Sequence, residues 1–159
     1  MHPRLAPALQ VSQWFNTEHA LSLESLRGKV IVLSAFQMLC PACVHHSVPQ
    51  LQRIFDLFDP QDVAVLGLHT VFENHAQMQP TALAGFIAQH QLSMPIAVDM
   101  PDDQAGLPLT MRVYQMQGTP SFMLIDKNGL LRMHRFGQKD DLSIGAAIGQ
   151  LLSEVAEGR

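Results

Sequence analysis

The sequence predicts an α/β architecture built on one mixed sheet with helices on both faces. Three observations carry this expectation. Val30–Leu33 and Val63–Leu68 are short, almost wholly apolar runs rich in β-branched residues, the pattern of central strands buried on both faces. Segments with helical periodicity lie between such runs, which calls for crossover connections and parallel pairing. Late in the chain, two apolar runs flank Asp126-Lys-Asn-Gly129, a hairpin signal that adds antiparallel strands.

In chain order, Leu9–Phe15 alternates weakly and is expected to form an early strand. Leu21–Leu26 with Arg27-Gly28-Lys29 reads as a turn leading into the Val30 strand. A helical segment then runs to about Phe58, with Leu51, Ile54, Phe55 and Phe58 at helical spacing and Asp59-Pro60 as its stop. After the Val63–Leu68 strand come a helix over Thr81–Gln91 and a short strand over Pro95–Val98. A short helix is expected over Leu109–Met116, followed by the hairpin strands Ser121–Ile125 and Leu130–His134. Asp140 or Asp141 is expected to cap a final helix carrying Ile144, Ile148, Leu151, Leu152 and Val155.

Composition narrows the function classes. The 159 residues are 47% apolar and 15% charged, which excludes a disordered tail protein. A net charge of −4 leaves no basic surplus for phosphates, so nucleic acid is not an expected partner. No apolar run approaches the ~20 residues of a membrane helix. No linker, repeat or low-complexity stretch divides the chain, so residues 1–159 are read as a single domain. Met1–Phe15 holds no apolar block ahead of a small-residue cleavage site. The expected compartment is the cytoplasm, with the periplasm as the alternative if a native signal peptide precedes Met1.

The chain has two cysteines, Cys40 and Cys43, in Cys40-Pro41-Ala42-Cys43, directly after a buried strand and at a helix start. Three readings are open: inert thiols, part of a metal site with His46, or a redox pair. Placement favours redox chemistry. A helix N-terminus carries about half a positive charge and unpaired N–H groups, both of which stabilise a thiolate, the reactive form. Pro41 at the first helical position gives up only an N–H without an intrahelical partner. One helical turn brings the two sulfurs within disulfide reach. Cys40 at the corner is expected to be the nucleophile, and Cys43, one turn in, the resolving thiol. A metal site wants about four ligands, and no second C-x-x-C exists. No metal and no cofactor are expected.

With these residues in view, the chain resembles the thioredoxin fold, and within it the TlpA-like thiol-disulfide oxidoreductases and the neighbouring redoxin (AhpC-TSA-like) family. The resemblance runs from about Leu21 to the C-terminus. It rests on Gly28-Lys29-Val30-Ile-Val-Leu, Cys40-Pro-Ala-Cys43, Gly118-Thr119-Pro120 and Asp126-Lys-Asn-Gly129. It implies a thioredoxin-like fold with an N-terminal strand extension (1–20) and an inserted strand-helix unit (71–94). It further implies a cis-proline at Pro120 opposite the cysteines, with Thr119 offering backbone groups to an extended substrate. Pro41, Ala42, Thr119 and Pro120 would then form the active-site wall.

The chain also departs from the family. Leu39 stands where an aromatic residue usually precedes the first cysteine, and Ser34 where thioredoxins bury an aspartate. Pro49 falls six residues after Cys43, one more than usual, which predicts an irregular helix over Val44–Pro49. No P-x-x-x-T-x-x-C pattern of peroxiredoxins precedes Cys40.

Other histidines and one carboxylate are candidates for tuning or proton relay. His69 ends a central strand, with Glu73 and His75 just beyond, and parallel strands present their carboxyl ends to the functional edge. His45 and His46 follow Cys43 in the first turn. For each, an ordinary surface or core role is the competing reading. Methionines 111, 116, 123 and 133 read as core filler, with copper binding the weaker alternative. The expected activity is thiol-disulfide exchange on protein or small-molecule disulfides, with an unknown thiol donor. The alternatives are a thiol peroxidase and a metallochaperone on the same fold.

Overall fold

In the computed structural model, which describes residues 3–104 and 106–157, seven strands form one mixed sheet. Met1, His2, Ala105, Gly158 and Arg159 lie outside the described residues, and with them both ends of the predicted 1–159 domain. The strands are β1 (Arg4–Leu5), β2 (Val11–Phe15), β3 (Val30–Phe36), β4 (Val63–His69), β5 (Ile96–Asp99), β6 (Ser121–Ile125) and β7 (Leu130–Phe136). Their order across the sheet is β1-β7-β6-β3-β4-β5-β2. β3, β4 and β5 run parallel, and every other pairing is antiparallel.

Alternation along β3 and β4 builds two cores. Val30, Val32, Phe36, Val63 and Val65 face α1 (Val48–Leu57), α2 (Pro80–Gln89) and α4 (Asp141–Ser153). Ile31, Leu33, Ala35, Leu66 and Leu68 face the opposite way, toward the short α3 (Leu109–Val113) and the N-terminal segment. Helices therefore cover both faces, three against one. That double cover is why β3 is buried at every position.

β1 was not expected. It is two residues long, and it exists because Arg4 and Leu5 pair with Leu131 and Leu130. The predicted early strand is β2, which pairs with β5, so the chain's start closes both edges of the sheet. Within 71–94 lie a 3₁₀ turn at His75–Gln77 and α2; the strand beside them, β5, begins just past that boundary. Asp140 rather than Asp141 caps α4, accepting from the Ser143 amide at 2.8 Å, while Asp141 pairs with Arg53. Val155, expected on the apolar stripe of α4, lies past the helix end and is 87% exposed. In the hairpin, Asp126 Oδ1 accepts from the Asn128 and Leu130 amides, and Gly129 takes φ +83°.

The irregular helix is present where Pro49 predicts it. Cys43–Ser47 forms a π-turn, in which the Cys43 carbonyl accepts from the Val48 amide. α1 follows with Pro49 in its first turn, where its missing N–H costs little. No helix among the described residues is long and apolar enough to cross a membrane.

Candidate active site

The parallel run of β3, β4 and β5 sends their carboxyl ends to one edge, where the functional loops gather. β3 delivers Gln37–Cys40, and β4 delivers His69–Phe72. β6 enters the sheet at Ser121, opposite Ala35, which sets Thr119-Pro120 beside the loop from β3. The Thr119-Pro120 peptide bond is cis.

The two sulfurs lie 2.6 Å apart, with the Cys43 thiol directed at Cys40 Sγ. Cys40 Sγ also accepts from the Cys43 amide at 3.3 Å, and as a thiol it donates to the Thr119 carbonyl oxygen at 3.6 Å. Cys40 is half-buried and Cys43 is 0% exposed. Burial, then its bond to Cys40, pushes the Cys43 thiol up to about 12. The arrangement is thus asymmetric. One sulfur meets solvent and receives two donors that would stabilise a negative charge, and the other keeps its proton inside the core. Pro41 is exposed and Ala42 half-buried at the rim. Leu39 and Phe136 are large exposed apolar residues at the ends of the loop before Cys40 and of β7.

Sequence reasoning brought forward several further residues, and their places differ. His69 is buried, and its Nε2 accepts from the Met38 amide at 3.3 Å, so its hydrogen bond fastens the Cys40 loop rather than reaching a sulfur. Burial pushes its pKa down to about 4. His46 turns Nε2 to the Lys139 carbonyl at 2.9 Å, which engages the third ligand that a metal reading of the cysteine pair needs. His45 and Glu73 are exposed. Among the described residues, none of these four side chains hydrogen-bonds to either sulfur, and no cluster of three or more His, Cys, Asp or Glu could hold a metal ion.

His69 yields a testable consequence. Its folded pKa, about 4, lies below its ordinary 6.5, so between those values the unfolded chain binds more protons. Stability present above pH 6.5 is therefore lost as pH falls toward 4, by about 3 kcal/mol at most. His69→Gln keeps an acceptor for Met38 but does not titrate. Urea unfolding across this range is expected to show the acid loss in the parent chain and a flatter profile in the variant. Parallel profiles would assign the acid sensitivity to other groups.

Two buried polar residues at this edge went unnoticed in the sequence. Gln37, directly after β3, bridges Thr119 Oγ1 at 3.3 Å and the Phe72 amide at 3.2 Å. Asp99, ending β5, accepts from the Thr70 hydroxyl and from the Thr110 and Met111 amides, which ties the tip of β4 to the start of α3. Burial raises the Asp99 pKa, against the opposing effect of those donors. The only local signal was polarity at the end of an apolar run.

Comparison with known proteins follows the same lines. The AhpC/TSA family profile matches residues 4–134. The crystal structure of a thioredoxin-like superfamily protein is 52% identical and superposes with a TM-score of 0.93, over 96% of this chain and 99% of that one. A thiol-disulfide isomerase from Corynebacterium glutamicum is 49% identical with a TM-score of 0.90, over 94% and 98% of the two chains. Protein DipZ of Mycobacterium tuberculosis is 30% identical over 156 residues, which make up 96% of this chain and 21% of DipZ. The chain thus spans about a fifth of the curated relative it matches.

Proposed function

The chain belongs to the AhpC/TSA family as a thioredoxin-like oxidoreductase, and on that premise we propose that it exchanges disulfides by cycling Cys40 and Cys43 between dithiol and disulfide. The observation that carries this reading is the asymmetry of the pair: Cys40 half-exposed with two donors on its sulfur, Cys43 fully buried behind it.

The Cys40 thiolate attacks one sulfur of a substrate disulfide. A bond forms between Cys40 Sγ and that sulfur, the substrate S–S bond breaks, and the other substrate sulfur leaves as a thiolate. Cys43 then gives up its proton and attacks Cys40 Sγ. The mixed disulfide breaks, the second substrate thiolate departs, and a Cys40–Cys43 disulfide remains. The substrate gains two electrons and the protein loses two. Mixed-disulfide formation removes the charge on Cys40, which relieves part of what holds the Cys43 proton. The first substrate thiolate released is the base that takes up that proton. A separate thiol donor restores the dithiol, and in an oxidising compartment the same steps run in reverse. Thr119-Pro120, with Pro41 and Ala42, forms the wall that receives an extended substrate segment.

This reading takes residues 1–159 as one thioredoxin-like domain. Within the 1–20 extension, Arg4–Leu5 and Val11–Phe15 close the two sheet edges, and the 71–94 insertion lends Phe72 to the site. The substrates are disulfides set in apolar surroundings, because Leu39, Pro41 and Phe136 are exposed and apolar.

The test compares oxidants. Reduced protein mixed with insulin is expected to lose both thiols and to release insulin thiols in equal number. With hydrogen peroxide the loss is expected to be much slower, since no P-x-x-x-T-x-x-C pattern precedes Cys40. Fast, donor-driven peroxide consumption with insulin untouched would instead make the protein a thiol peroxidase.

A further inference from the structure

Gln37 is 2% exposed, and a buried primary amide must find partners for its oxygen and its N–H groups. It finds them outside the sheet. Its Oε1 accepts from the Phe72 amide, its Nε2 donates to Thr119 Oγ1, and its main-chain carbonyl accepts from the Cys40 amide at 3.1 Å. The Phe72 N–H can only donate, which fixes the oxygen end of the amide and so the end that meets Thr119. One side chain therefore joins the tip of the β6 loop to the loop after β4, from a position three residues before Cys40. Pairing between β3 and β6 stops at Ala35 and Ser121, and beyond that pair the Gln37–Thr119 bond continues the connection. The Thr119 carbonyl, 3.6 Å from Cys40 Sγ, belongs to the residue that this bond holds.

We propose that Gln37 is a positioning residue that holds Thr119, and with it the substrate-receiving wall, in register with Cys40. This rests on the reading of Cys40 as nucleophile and of Thr119-Pro120 as the wall. Gln37 does not touch the reacting sulfurs through its side chain. Its loss should therefore weaken docking of an extended substrate more than the exchange itself.

The experiment measures insulin reduction by Gln37→Leu, Thr119→Val and the double variant. Each single change removes one end of the same bond. Gln37→Leu is expected to raise KM about five- to tenfold with kcat within about twofold, the loss of one hydrogen bond with its buried partners left unpaired. The double variant is expected to be no worse than Thr119→Val alone, because Gln37 acts through the Thr119 hydroxyl. Hydroxyethyl disulfide, too short to lie along the wall, should react with Gln37→Leu at the parental rate. Multiplying effects in the double variant, or equal losses on both substrates, would overturn the proposal. Should Gln37→Leu not fold, the near-isosteric Gln37→Met takes its place: a raised KM for insulin supports the proposal, and an unchanged one overturns it. Activity that survives Cys40→Ser would defeat the functional reading itself, whereas a dead Cys40→Ser beside a parental Gln37→Leu would defeat only the positioning role.

Discussion

Cys40→Ser is expected to lower insulin reduction by about three orders of magnitude or more, as removal of an enzyme's nucleophile does. Serine keeps the size of the side chain and the two donors aimed at it from Cys43, so the site geometry survives. What disappears is the thiolate. A serine hydroxyl stays protonated at neutral pH and cannot form the mixed disulfide. The remaining Cys43 cannot take over, because it is fully buried, and burial, the largest cause of its raised pKa, persists in the variant. Unfolding by denaturant is expected to match the parent chain, which separates lost chemistry from lost fold. A variant that retained a tenth of the activity would move the nucleophile elsewhere.

The largest expected effect on stability comes from Asp99→Ala. The carboxylate is buried, and three donors converge on it: the Thr70 hydroxyl and the amides of Thr110 and Met111. Alanine leaves two main-chain N–H groups and one hydroxyl without a partner in the interior, at a cost of about 3 kcal/mol or more. Asp99→Asn keeps the shape and one acceptor oxygen, and it should lose roughly half as much. Denaturant midpoints at constant slope measure both. Since Thr70 leads into Phe72, the alanine variant is also expected to loosen the loop that Gln37 holds. Equal stability of Asp99→Ala and the parent would show that water or a rearranged loop satisfies those donors.

The contrast between what could and could not be read from the chain has a physical basis. β3 and β4 were legible because burial on both faces demands continuous β-branched apolar runs. The closeness of the two cysteine sulfurs was legible because it depends on local spacing and a helix start. An irregular helix over Val44–Pro49 was legible from the offset of Pro49 against the resembled family, but its form, a π-turn at Cys43–Ser47, was not. β1 was not, because two residues become a strand only through pairing with a strand more than a hundred residues on. Gln37 and Asp99 were not, because a buried polar residue is explained by its partners, and Thr119 lies 82 positions from Gln37. His69 shows the intermediate case. Its place at a strand's carboxyl end was legible, but its single bond to Met38 in place of a sulfur was not.

The most direct test of the central claim is mass analysis, without reductant, of Cys43→Ser after mixing with insulin. The expected product is an insulin chain joined to Cys40 by a disulfide, released by dithiothreitol, and absent when Cys40→Ser is treated alike. No adduct on Cys43→Ser while the parent chain reduces insulin, or an adduct that forms on Cys43 in Cys40→Ser, would contradict an exchange that proceeds through Cys40.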